Sequence, residues 1–279
     1  MKKSIFALLF LLFSLKPEFS FEQNFLYFKT TLGGGFGING SDYALNSYTY
    51  TDTNSFVNKS IVKFLSFGNE LCPGIAVGHN FSKNFSFEIN INYIKRLPIL
   101  ISNTDCIDWQ GQSFSENWEY KIQGHSFYLT PAFIISPNYA KFNPYFKIGF
   151  IIAKGSLKEV DSSYGFLGCC TQNLTHYADF YYGLKSAIGF DYPVSKRTKL
   201  FFEVDYDNIS FSPTKTIMTE CSSQGANLMG QMNVDQTAIV YVNEISSPSS
   251  PPDPNEPLQV LKRKLSLNSL TINVGLKFQ

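Results

Sequence analysis

The most constraining feature of the chain is a strict two-residue alternation whose apolar side carries no charge. FSFEININY is its clearest instance: Phe85, Phe87, Ile89, Ile91 and Tyr93 fall on one face, and Ser86, Glu88, Asn90 and Asn92 on the other. In an extended chain successive side chains point to opposite faces, so a period of two is the signature of a strand. Seven further segments repeat the pattern. Their apolar sides carry Leu26, Phe28, Leu32, Phe36 and Ile38; Leu71, Ile75, Val77 and Phe81; Phe127, Leu129, Phe133 and Ile135; and Phe146, Ile148, Phe150 and Ile152. The remaining three carry Phe180, Tyr182, Leu184, Ile188, Phe190 and Tyr192; Leu200, Phe202, Val204 and Tyr206; and Leu270, Ile272, Val274, Leu276 and Phe278. No amphipathic helix of comparable strength competes with them.

Alternation alone fits a water-soluble barrel such as a lipocalin, or a barrel in a bilayer. The polar side separates the two. A face turned to water is rich in Lys and Glu, whereas here it is mostly Gly, Ala, Ser, Asn and Tyr with a few charges. That composition suits a narrow interior packed with side chains. Only 16% of the residues are charged, against about 25% in an ordinary soluble domain. A charge on the apolar side would cost about 2–4 kcal/mol at a bilayer midplane, and none occurs there.

The connections alternate too. Short turns fall at Ser82-Lys83-Asn84, at SPNYAKF and at Ser195–Thr198, and long connections at 40–69, 102–118, 159–177 and 212–261. Short turns at one end and long loops at the other predict a membrane barrel with an even strand count and both termini at the short-turn end. The N-terminus agrees. Lys2 and Lys3 precede the uncharged run from Ile5 to Leu15, too short for a spanning helix of about 20 residues. Residues 1–22 therefore read as a secretory signal peptide, cut between Phe19 and Gln23, and 23–279 as one domain. No Cys follows the apolar run, so no lipoprotein anchor is expected. The net charge of +1 argues against a nucleic-acid partner.

NPYFKIGF, FYYGLKSAIGFDYPVS, KLFFEVDYD and the closing SLTINVGLKFQ resemble the small outer-membrane barrels of the OmpA, OmpX and opacity type. The resemblance covers residues 24–279. It implies an all-β fold: a transmembrane antiparallel up-and-down β-barrel of eight strands with long extracellular loops, in a Gram-negative outer membrane. It also implies partners in outer-membrane lipid and in the machinery that inserts barrels by reading a C-terminal aromatic strand. Here Phe278 is penultimate and Gln279 last. No peptidoglycan-binding domain follows, so that activity of the OmpA proteins is not implied.

Six charges should face the interior: Glu88, Lys147, Lys185, Glu203, Asp205 and Asp207. A buried charge without a partner is strongly destabilising, so they should pair. The hairpin around 195–198 should set Lys185 against Asp207 or Asp205, with Glu203 shared by Lys147. His125 and Ser126 adjoin in one strand, so their side chains face opposite sides and form no nucleophile–base pair. His79 reads as an interfacial residue, and His176 as a loop residue without companions for a metal. Gly33–Gly37 lacks the Lys-Ser/Thr ending of a phosphate loop and reads as close packing inside a narrow barrel.

No catalytic, cofactor-binding or metal site is expected. Of the five cysteines, Cys106, Cys169, Cys170 and Cys221 fall in long connections on one side of the barrel, and Cys72 at the outer end of a strand. In an exported protein they should form at least one disulfide, Cys106 or Cys221 with Cys169 or Cys170. Three functions remain open: a structural or surface-interaction protein whose loops meet a host or other extracellular partner, a narrow channel or carrier of small hydrophobic molecules, and a lipid A-modifying enzyme. The expectation is the first, not an enzyme.

Overall fold

The computed structural model describes residues 26–279 apart from 39–40, 53–54, 66–67, 110–111, 138, 140–141, 166–167 and 246–252. For 41–65, 101–117, 165 and 168 it describes the strand path alone. The expected signal peptide lies outside the described residues. The strands are β1 (Leu26–Gly37), β2 (Ser41–Asp52), β3 (Ser55–Leu65), β4 (Glu70–Leu71), β5 (Gly74–Asn80), β6 (Phe85–Trp109), β7 (Gln112–Ile135), β8 (Asn143–Gly165) and β9 (Gly168–Tyr177). They continue as β10 (Tyr181–Pro193), β11 (Thr198–Phe211), β12 (Lys215–Ser223), β13 (Ala226–Asn227), β14 (Ala238–Val242), β15 (Leu258–Leu261), β16 (Leu265–Ser266) and β17 (Ser269–Phe278). Among the described residues helix is confined to the single turns Met229–Gln231 and Val234–Thr237. No helix among the described residues is long and apolar enough to cross a membrane.

The pairings close on themselves. β1 pairs with β5, β5 with β6, β6 with β7, β7 with β8, β8 with β10, β10 with β11, β11 with β17, and β17 returns to β1, all antiparallel. Closing the ring leaves none of these strands with a bare edge along the closed stretch. Pro73 has no N–H to give the ladder, and the strand is interrupted there between β4 and β5 without loss of register: Leu71 faces Lys95 and Gly74 faces Asn92. Pro98 sits at a bulge in β6, where the register slips between Arg96 and Ile99. Both prolines fall where the ring gives way to its rim.

Each strand turns its faces as the alternation predicts. Ile89 is 44% exposed, between Glu88 at 0% and Asn90 at 8%. Phe133, Phe150, Leu184 and Val274 are exposed likewise, and their neighbours Ala132, Ile151, Lys185 and Asn273 are buried. The outward side chains form an apolar belt with stacked or tilted aromatic pairs between strands, such as Phe87–Phe133 and Phe150–Tyr182.

The long connections are a correction. Three of the four were expected as loops, and the fourth as a loop with a hairpin extension. Instead β6 and β7 pair continuously up to Trp109 and Gln112, β2 pairs with β3, and β8 runs on to Gly165. At Ala153 β8 still faces β10, and from Ser156 upward it faces β9 instead. β9 then pairs with β12, β12 with β14, and β14 runs parallel to β15, so the same sheet flares away from the ring beyond β8, while β2 and β3 form a separate two-stranded sheet. Along residues 154–161 the apolar periodicity fades because Lys158 stands outward and Glu159 inward, and ladder hydrogen bonds to β7 and β9 carry the stretch without it. The Pro-rich stretch of the last connection falls largely outside the described residues.

Candidate functional site

The interior of the ring is a ladder of paired charges. At the short-turn end Lys277 Nζ lies 3.0 Å from Asp191 Oδ2 and over the ring of Tyr27. Above it lies a four-charge cluster. Lys147 Nζ is 2.5 Å from Glu203 and 3.4 Å from Glu88, and Lys29 Nζ is 3.3 Å from Glu88 and 3.9 Å from Glu203. Two tyrosines complete it in matching ways: Tyr27 Oη donates to Glu88 (3.0 Å) and Tyr145 Oη to Glu203 (2.9 Å). Each tyrosine stands opposite a glycine, Gly78 and Gly189, and its ring fills the space a Cβ would need, at 2.1 Å and 2.6 Å. The glycines let the rings lie flat against the wall and aim their hydroxyls at the cluster.

Next comes Lys185, 2.5 Å from Asp205 and 3.1 Å from Asp207. Asn273 Nδ2 donates to Asp205 (2.8 Å), and Cys72 Sγ donates to Asn273 Oδ1. Arg96 follows, donating to Glu70 (2.9 Å) and to Tyr128 Oη (2.5 Å), while Ser269 and Thr271 donate to the other Glu70 oxygen. The outer end is closed by an apolar cluster including Ile94, Ile151, Leu157, Phe211 and Leu267.

All six charges expected inside are buried and face one another. Sequence reasoning left Lys29, Glu70, Arg96, Asp191 and Lys277 out of the cluster. Parity offered the signal for four of them, since each alternates with exposed apolar neighbours; Glu70 stood beside an expected loop. A vestibule of about 200 Å³ opens at the short-turn end, lined by Lys29, Tyr145, Asp191 and Lys277 among others. The four-charge cluster stands directly above it.

Ser126 is buried against Tyr181 Oη (2.5 Å) and His125 is exposed, on opposite faces of β7. His79 meets Phe81 edge to face, with ring centroids 5.0 Å apart. His176 corrects an expectation: it lies in β9, buried, not in a loop. Its Nε2 is 2.8 Å from Glu159 Oε2, its Nδ1 is 2.6 Å from Thr216 Oγ1, and Thr216 is 3.1 Å from Tyr241 Oη. This acid–imidazole–hydroxyl chain has the order of a nucleophilic triad, but Thr216 is 1% exposed and offers no substrate a path. It joins four strands of the side sheet. Beside it, burial and then the nearby Glu159 push the Asp161 carboxyl up to about 6.

Cys72, Cys169, Cys170 and Cys221 are free thiols rather than members of a crosslink. The register sets Cys221 opposite Gln172 and Cys170 opposite Ser223, whose hydroxyl the Cys170 thiol meets at 3.4 Å. The side chain of Cys106 lies outside the described residues. Among the described residues no three His, Cys, Asp or Glu side chains gather as metal ligands.

No family model matches the chain, and no curated protein matches it. Among solved structures it is similar to the outer membrane protease OmpT of Escherichia coli, with 11% identity over 92% of this chain and 96% of that one. The TM-score is 0.27.

Proposed function

We propose that the chain is an eight-stranded outer-membrane β-barrel, with β4 and β5 as one interrupted strand, acting as a closed scaffold for a tall extracellular rim. Its role is structural or surface-interacting, carried by the extended hairpins β2–β3, β6–β7 and β8–β9. It is neither a channel nor an enzyme. The observation that carries this reading is the ladder of buried ion pairs inside an apolar belt. A belt without charge fits lipid, and an interior crowded with Lys147, Glu88, Glu203 and Lys185 under an apolar cap leaves no path for a solute. An eight-stranded ring is just wide enough for side chains to fill, which is why the scaffold is solid.

Protein recovered from outer membranes tests the reading. It should show heat-modifiable gel mobility and give no discrete conductance in planar bilayers. External protease should cut within the rim and leave the ring strands protected. Regular single-channel steps would overturn the closed scaffold, and absence from the outer-membrane fraction would overturn the location.

A further inference from the structure

The outward face of the ring changes character along one horizontal line. On β6, β7, β8 and β10 the row Ile91, Leu129, Ile152 and Tyr182 is uncharged, each residue opposite the next. One row higher stand Tyr93, Phe127 and Lys154, with Lys154 Nζ over the ring of Phe180. The next row reads Lys95, His125, Ser156, Tyr177 and Lys215 across β6, β7, β8, β9 and β12, again opposite one another, with Lys215 Nζ over Tyr177. Lys158 projects from the row above, opposite Gln123 and Thr175. Where β9 departs from the ring these rows enclose a concave bay of about 710 Å³ lined by Tyr93, Lys95, His125, Lys158 and Tyr177 among others. The exposed basic run Lys262–Lys264 continues the band, tied to it where Ser212 Oγ donates to the Arg263 carbonyl.

Among the residues whose side chains are described, Lys95, Lys154, Lys158 and Lys215 all stand on this one wall. Elsewhere around the ring the exposed Asn69, Asn208 and Ser210 carry no charge. Among the described residues the exposed acids nearest the band are Asp179, in the link between β9 and β10, and Glu244, just past β14 beside the basic run. We propose that this wall binds the phosphorylated headgroup of an outer-leaflet lipid, with Lys95, Lys154, Lys158 and Lys215 as its cations. Lysines bind phosphate as point charges, and Tyr177, Gln123 and Ser156 add hydrogen-bonding groups. The belt decides for a lipid over a soluble anion: Ile91, Leu129 and Ile152 lie directly beneath, where acyl chains attached to a headgroup in the bay would run. Aromatic rows between apolar belt and charge are where amphipathic rings settle at a bilayer surface. The inference rests on the membrane reading above.

Native mass spectrometry of the full chain in neutral detergent tests it, titrating with phosphatidic acid, phosphatidylcholine and inorganic phosphate in turn. Phosphatidic acid should be retained in preference to phosphatidylcholine, and inorganic phosphate should not displace it at equal concentration. Lys95→Gln, Lys154→Gln and Lys158→Gln together should weaken retention by roughly fivefold per lysine removed. Lys83→Gln with Lys196→Gln, at the short-turn end, should leave it unchanged. Lys158→Gln alone supplies the same comparison if the triple variant does not fold, which gel mobility reports. Equal retention of both lipids, displacement by phosphate alone, or equal losses in the two variant sets would overturn the site. Failure to insert into vesicles of any lipid would instead overturn the barrel reading.

Discussion

At the scale of single residues, the four-charge cluster depends on mutual satisfaction. Lys147 has two carboxylates within reach, and each carboxylate also faces Lys29 and a tyrosine hydroxyl. Lys147→Met should therefore lower stability by about 3–5 kcal/mol, because Glu203 and Glu88 lose a partner where water cannot replace it. Adding Glu203→Gln should recover part of the loss; urea midpoints of the two single and the double variants in vesicles check this, and strictly additive losses would count against the pairing. Gly189→Val should act on the same cluster from the wall, driving the Tyr145 ring off its place and its hydroxyl off Glu203, whereas a glycine in open space such as Gly230 should tolerate a Cβ. Outside the ring, Asp161 has a folded-state value of about 6 against an ordinary 3.8. Its contribution is fully present below the lower value and is lost as pH rises through the upper one. Protection factors of amides in the β8–β9 hairpin, corrected for the pH dependence of intrinsic exchange, should thus be higher at pH 5 than at pH 7.5, and Asp161→Asn should flatten the difference.

At the scale of elements, alternation was legible residue by residue in the lower part of each strand. Spin labels at Ile89 and Asn90 should report lipid and interior respectively, and equal access of a lipid-soluble quencher to both would defeat the assignment. The upper parts of the same strands were not legible. Lys154 to Asp161 reads KGSLKEVD, with Leu157 and Glu159 inward and Lys158 outward, so no uncharged face announces a strand. What holds that stretch is the ladder to β7 and β9, a long-range pairing that hydrophobic periodicity does not encode. His176 was misread for the same reason. Its partners Glu159 and Thr216, and the Tyr241 hydroxyl that meets Thr216, come from three other strands, and only the register brings them to one point.

At the scale of the whole molecule, the ring and the flared sheet differ in how they are held. The ring strands pair on both sides and enclose buried ion pairs, whereas the outer strands β14 and β15 depend on a few ladder bonds and half-exposed side chains. Local opening follows such differences. Amides of Phe146–Ile151 should therefore outlast those of Ala238–Val242 in hydrogen exchange by orders of magnitude. Uniform protection across both would indicate a single cooperative unit.

By itself the sequence determined which residues face outward and which face inward, because a period of two leaves each side chain one of two directions, and the uncharged side marks the outward one. It also determined that the interior charges must meet partners, since burial forbids leaving them alone. It did not determine which partners. That Lys29 shares both glutamates with Lys147, that Arg96 takes Glu70, and that His176 joins Glu159 to Thr216 follow from the register between strands far apart in the chain. Only closure of the ring, with β8 exchanging β10 for β9 at its rim, fixed those distances.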